Sequence, residues 1–114
     1  MATTESTIQS TIGALVGGRC YPADNPAYEG GQTYVIYNVI FEQDLVVTQD
    51  GQTEKRIQID VYGPTYSTVK SLSNAVKSAM DGLSGYATAM IQRFDDYEEV
   101  TREFKHTLEF YVWH

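Results

Sequence analysis

From Phe104 to Trp113 the chain alternates without a break. Phe104, His106, Leu108, Phe110 and Val112 fall on one side, and Lys105, Thr107, Glu109, Tyr111 and Trp113 on the other. Alternation this sustained fits a β-strand with one face on a core and cannot be laid on a helix. The predicted strand runs from about Val100 to Trp113. Lys55 to Tyr62 repeats the pattern, with Ile57, Ile59 and Val61 opposed to Arg56, Gln58 and Asp60. Tyr34 to Phe41 is apolar on both sides except at Asn38. Such a strand is covered twice, within the fold or by a second chain. A fourth strand is expected from about Tyr86 to Phe94, followed by an acidic turn, Asp95-Asp96-Tyr97-Glu98-Glu99.

Two segments keep helical spacing instead. Thr3 or Thr4 can cap the first, where Ile8, Ile12, Leu15 and Val16 form a buried stripe and Gly17-Gly18 ends the helix. The second follows Gly63-Pro64, with Thr65 as cap, Val69, Leu72, Val76, Met80 and Leu83 as its stripe, and Gly82 at its end. Between the first helix and first strand lies a long loop, Gly18 to Gln32, carrying Tyr21 and Tyr28. The element order is therefore α-β-β-α-β-β. It predicts a single α+β domain over residues 1–114, an antiparallel four-stranded sheet with both helices on one face.

Asp50-Gly51 reads as a two-residue hairpin turn. That turn would place Ile40 opposite Val61, but also Glu42 opposite Ile59 and Asp44 opposite Ile57. Two carboxylates on an apolar face call for a one-residue bulge near Glu42–Leu45, which would turn the strand over from there on. The hairpin tip then projects from about Val46 to Thr53.

Charge narrows the function classes. The 114 residues hold 8 Lys+Arg against 15 Asp+Glu, a formal charge of −7. A domain this acidic is unsuited to gripping nucleic-acid phosphate or an anionic membrane surface, both of which call for Lys and Arg. The single cysteine, Cys20, excludes an intrachain disulfide and a cysteine-based zinc site. The N-terminal residues lack the basic-then-apolar layout of a signal peptide, and no apolar run approaches the ~20 residues of a membrane span.

Catalytic chemistry finds little support. A cysteine nucleophile needs a lowered pKa and a base in reach. The only imidazoles are His106, on the apolar side of the last strand, and the C-terminal His114. The run Asp95, Asp96, Glu98, Glu99 lacks the alternating ligands and the glycine of a calcium loop and reads as a solvated tip. Neither Gly-Gly pair opens a phosphate-binding motif. The reading is non-enzymatic, with no cofactor and no metal. What remains is aromatic surface. Tyr62, Tyr111 and Trp113 lie opposite the clearest core residues, where a second subunit or the chain's own long loops could cover them.

Four segments, taken in order, resemble the tail completion (tail terminator, or head-to-tail joining) proteins of long-tailed bacteriophages. They are Val16-Gly17-Gly18-Arg19-Cys20-Tyr21-Pro22 after the first helix, Tyr34-Val35-Ile36-Tyr37, Arg56 to Tyr62 followed by Tyr66, and Leu108 to Trp113. Cys20 stands where the family usually has an aliphatic residue, and Glu109-Phe110 where it usually has Asp-Phe. Residues 42–54 match little. The resemblance implies a structural virion protein, assembled in the host cytoplasm and located in the virion tail. It would form a ring, of six subunits, that caps the tail tube, stops its growth and offers a docking surface to the head connector or neck. DNA would pass through the lumen without specific binding. In such a ring Tyr37, Val39, Phe41, Tyr62, Tyr111 and Trp113 are the candidate subunit interface. Arg19, Tyr21, Tyr28, Val46, Val47 and Asp50 are the candidates for loops meeting the axial partners. Asp60, Asp95, Asp96, Glu98, Glu99, Glu103 and Glu109 are candidates for an acidic channel lining. A neighbouring head-completion or connector subunit, and a small α+β ligand-binding or hydrolase domain, are the alternatives.

Overall fold

The four expected strands and two expected helices all occur in the computed structural model, which describes residues 4–23, 32–44, 53–83, 85–99 and 102–113. The order is α1 (Thr4–Gly13), β1 (Cys20–Pro22), β2 (Tyr34–Asp44), β3 (Thr53–Gly63), α2 (Tyr66–Asp81), β4 (Ala87–Glu98) and β5 (Glu103–Trp113). The class is α+β, but the sheet is neither four-stranded nor wholly antiparallel. Its order is β1-β2-β3-β5-β4, and β1 runs parallel to β2. Gly17 and Gly18, at φ 61° and 86°, steer the chain into this extra strand. Arg19 then holds it to the start of β2. Its carbonyl accepts the Val35 N–H at 2.9 Å, and its Nε donates to the Thr33 carbonyl at 2.8 Å. Three residues beside glycines and a proline carry no readable period, so this strand was expected as loop.

Helix α1 stops at Gly13, before Gly17-Gly18, and residues 14–18 form a turn closed by Gly18 N–H to the Gly13 carbonyl at 2.8 Å. Ile8, Ile12 and Val16 are buried as the spacing requires, but the turn leaves Leu15 exposed. Helix α2 buries Val69, Val76 and Met80, with Leu72 packed at the margin and Leu83 buried just beyond. Thr65 sits at its N-cap, yet its Oγ1 donates to Thr68 Oγ1 at 2.7 Å instead of accepting from the backbone. Gly63 lets α2 come close. A Cβ there would lie 2.8 Å from Val69 Cγ2.

The register of the first hairpin differs from the one an Asp50-Gly51 turn dictates. Val35, not Ile40, faces Val61; Tyr37 faces Ile59 and Val39 faces Ile57. The strands pair as far as Asp44 and Thr53, so Asp50-Gly51 and the expected tip lie outside the described residues. Apolar–apolar pairing selects this register. It also gives Glu42 a cation, Lys55, in place of Ile59. A bulge does occur in β2, at Ile40 between Val39 and Phe41, rather than at 42–45. It turns the strand over, so that Ile40 and Phe41 are exposed while Glu42 meets Lys55 Nζ at 2.9 Å. The same ammonium reaches Glu5 of α1 at 2.8 Å. Burial pulls the Lys55 pKa down, but the two carboxylates outweigh it and hold the group above its ordinary value.

In the second hairpin the acidic run is strand, not turn. Asp95 faces His106, Asp96 faces Lys105 and Tyr97 faces Phe104. Arg102 has φ 56°, and β5 starts at Glu103 rather than Val100. Charged residues do not prevent pairing here because β5 offers them Lys105 and His106. β4 carries its own bulge at Ile91, between Met90 and Gln92. The core lies between the helices and one sheet face, built from Val35, Ile57, Ile59, Val61, Leu108, Phe110 and Val112 against Ile8, Ile12, Val69, Val76 and Met80.

Candidate functional site

The sheet face away from the helices is where the aromatic and charged residues of the alternating strands collect. By strand alternation it carries Tyr34, Ile36 and Asn38 of β2, Arg56, Gln58, Asp60 and Tyr62 of β3, and Lys105, Thr107, Glu109, Tyr111 and Trp113 of β5. Among the described residues no helix packs on it, yet its centre is dry. Asp60, Glu103 and Glu109 are only 8%, 4% and 7% exposed. Each carboxylate has a donor, as a buried charge requires. Thr107 Oγ1 donates to Asp60 Oδ1 at 2.7 Å and Gln58 Nε2 to the same carboxylate at 3.0 Å. Arg56 Nη2 donates to Glu109 Oε2 at 2.7 Å, and the Tyr34 hydroxyl to Glu103 Oε1 at 2.9 Å. Rings cover the ends of this polar row. Tyr34 stacks on Tyr62 at 5.0 Å and Tyr111 on Trp113 at 5.6 Å, and the Trp113 indole donates to Glu54 Oε1 at 2.8 Å. Burial first, and then the Asp60 charge, push the Tyr62 phenol above its ordinary pKa.

The candidate interface residues divide between the two faces. Phe41, Tyr62, Tyr111 and Trp113 belong to the open face, with Phe41 exposed and the other three half-buried. Tyr37 points the other way. It is 6% exposed in the core, and its hydroxyl donates to Gln9 Oε1 of α1 at 3.0 Å. Val39 packs at the core margin. Of the candidate axial residues, Arg19 and Tyr21 hold the short strand β1 and its approach, while Tyr28, Val46, Val47 and Asp50 lie outside the described residues. The acidic candidates divide as well. Asp60, Glu103 and Glu109 are inside the open-face network; Asp95, Asp96 and Glu99 are exposed; Glu98 ends β4.

Cys20 is buried, and burial pushes its thiol up to about 11. His106 is buried on the helix-side face, with Nε2 against Asp95 Oδ1 and the Tyr66 ring edge-on to the imidazole. The Tyr66 hydroxyl donates to the other oxygen of Asp95 at 3.2 Å. This cluster fastens the start of α2 to β4. Among the described residues no three His, Cys, Asp or Glu side chains gather as metal ligands, and no helix is long and apolar enough to cross a membrane.

With this geometry in view, the chain can be set beside known proteins. The family described as tail completion protein gp17 matches residues 8–114. The chain belongs to that family. It is thus a structural protein of the phage virion tail. This tail completion protein also matches a chain of a solved structure, "Virion of native gene transfer agent (GTA) particle", at TM-score 0.72 and 20% identity, over 96% of this chain and 92% of that one. At that identity the likeness is one of fold. No curated protein sequence matches it.

The network Tyr34–Glu103, Asp60–Thr107 and Arg56–Glu109 was not legible before the register was known. The one signal in the sequence is that each carboxylate sits on the side of its strand away from the core, where donors recur at the same period.

Proposed function

We propose that this tail completion protein closes into a ring, of six copies, on the end of the tail tube. The ring stops tube growth and gives the head connector or neck protein a surface to join. The observation that carries the reading is family membership over nearly the whole chain, joined to the open sheet face. Exposed apolar side chains on a small acidic domain fit burial against further subunits. Phe41, Tyr62, Tyr111 and Trp113 are the interface residues retained in this proposal; Tyr37 and Val39 serve the core beneath them. Catalysis has no part in it, since the one thiol is buried and its pKa is raised.

Mass measured over a concentration series, with negative-stain images of the protein mixed with tail tubes, tests the ring directly. A chain that stays single even with tubes present refutes it. Binding to filled heads but not to tubes would make it instead a connector subunit of the neck. A lumen lined with carboxylates would repel DNA phosphate and let the duplex slide. In this protein that role falls to the exposed Asp95, Asp96 and Glu99 with their neighbour Glu98. Asp60, Glu103 and Glu109 are buried within the sheet and hydrogen-bonded to Thr107, Tyr34 and Arg56. A ring that carries the β4 carboxylates on its outer rim removes the lumen idea and leaves the cap intact.

A further inference from the structure

The sheet has two open edges, and they match. At one side β4 has no partner strand on its outer side among the described residues. At the other, β1 pairs with Val35, Ile36 and Tyr37, and among the described residues no strand pairs with β2 on that side from Asn38 onward. Free edges in soluble monomers are normally guarded by charge, proline or a covering element, because unpaired N–H and C=O groups template a further strand. Here the guard is missing at corresponding places. Ala87-Thr88-Ala89-Met90-Ile91-Gln92 is uncharged, and so is Asn38-Val39-Ile40-Phe41, in a chain whose charged residues make up 20%. Among the described residues, five of the seven exposed large hydrophobics lie on these two strands: Ile40, Phe41, Met90, Phe94 and Tyr97.

The two segments also lie level across the sheet. The pairings Val39–Ile57, Ile57–Phe110 and Phe110–Met90 form one row, and the next row is Phe41–Arg56–Tyr111–Ala89. The two bulges, at Ile40 and Ile91, flank the first row from either side. Every neighbouring pair from β2 to β4 is antiparallel, so β2 and β4 run in opposite directions.

The geometry points to a second copy of this chain as the occupant of each edge: residues 87–92 of β4 in one copy pair antiparallel with residues 38–41 of β2 in the next. This rests on the ring reading and gives that ring its contact. The contact joins two different patches, so it is heterologous and closes by rotation instead of ending at a dimer. Copies related by rotation about an axis along the strands meet row to row. Val39 then lies beside the next copy's Met90, and Tyr21, which shares a row with Ile36, beside its Phe94. Both segments are neutral, so this is where two strongly acidic chains approach with least repulsion.

The test uses Phe41→Lys and Ala89→Lys, each an exposed position that becomes a guarded edge, and sedimentation velocity of the full chain. Each variant makes the chain less acidic, so general repulsion falls and any loss of assembly belongs to the edge. Each alone is expected to stay a single copy, with its urea midpoint near that of the unsubstituted protein. Mixed in equal amounts they are expected to form two-copy species and nothing larger, because one intact contact survives between the β4 edge of Phe41→Lys and the β2 edge of Ala89→Lys. Variants that assemble like the unsubstituted chain overturn the edge contact and leave the ring standing. An unsubstituted chain that never assembles, even on tubes, overturns both.

Discussion

Replacing Tyr34 by Phe isolates one hydroxyl in the buried network of the open face. The phenyl ring keeps its stack on Tyr62, at 5.0 Å and 9° between planes, so packing is preserved. What is lost is the donor to Glu103 Oε1 at 2.9 Å. The other carboxylate oxygen, Oε2, is buried with no hydrogen-bond partner, so the variant leaves a charged group with little to replace its water. A hydrogen bond to a charged group contributes about 1.5–3 kcal/mol, and the larger part of the loss is desolvation left uncompensated. We expect about 2–3 kcal/mol of destabilisation, which for a chain of this size lowers Tm by about 10 °C. Urea unfolding, at a protein concentration where sedimentation shows single copies, reads it as a lower midpoint at unchanged slope. Adding Glu103→Gln to Tyr34→Phe removes the charge and is expected to recover about 1 kcal/mol or more, a coupling that separates lost pairing from lost packing. If Tyr34→Phe unfolds within about 0.5 kcal/mol of the unsubstituted protein, Glu103 is not held by Tyr34 and the account of a dry, donor-matched centre is wrong.

Other perturbations follow from the same geometry. Cys20, with its pKa raised to about 11 by burial, is expected to react with a thiol reagent at pH 8 only as fast as the fold opens; rapid labelling of native protein would contradict its placement. A raised folded pKa means that the folded state keeps a proton the unfolded thiol gives up. Its contribution is therefore whole below the ordinary value of 9.0 and is lost as pH rises toward about 11. Tyr62, also raised, deepens that alkaline loss, and urea midpoints from pH 8 to 11 should fall monotonically. Gly63→Ala sets a Cβ 2.8 Å from Val69 Cγ2 and is expected to cost about 1–3 kcal/mol through a forced shift of α2, measurable as a Tm loss. Lys55→Met keeps the stem but leaves Glu5 and Glu42 facing each other without their shared cation. It is expected to cost about 1 kcal/mol, with earlier hydrogen exchange in α1.

Most of the fold was readable because its signals are periodic. Helix and strand faces followed from spacing alone, and so did the side on which Tyr62, Tyr111 and Trp113 emerge. What was not readable depended on pairs distant in sequence. The Asp50-Gly51 turn is a local signal, and it lost to the summed preference of Val35, Tyr37 and Val39 for Val61, Ile59 and Ile57. Local propensity likewise put a turn at Asp95–Glu99, whereas β5 offers Lys105 and His106 across the ladder and draws the run into β4. The expected bulge at 42–45 rested on a register that does not form, and the bulge that does occur lies at Ile40. Its position was not legible, because it depends on register. Tyr37 looked like surface for the same reason: both sides of β2 are apolar, and only the placement of α1, through Gln9, decides which side is inside.

The division of charge ties these points to assembly. A formal charge of −7 on each copy opposes any contact between copies, and more so as copies accumulate around a ring. The fold answers in two ways. It draws Asp60, Glu103 and Glu109 into the sheet, where Thr107 and Tyr34 donate to the first two and the Arg56 guanidinium pairs with the third. It also keeps the exposed Asp95 and Asp96 of β4 beyond the neutral segment at residues 87–92. Glu109 is offset by its cation, and exposed carboxylates at one end of a strand are screened by salt beyond about 8–10 Å. Under the proposed edge contact, residues 87–92 and 38–41 are where two such chains would meet with little opposing charge.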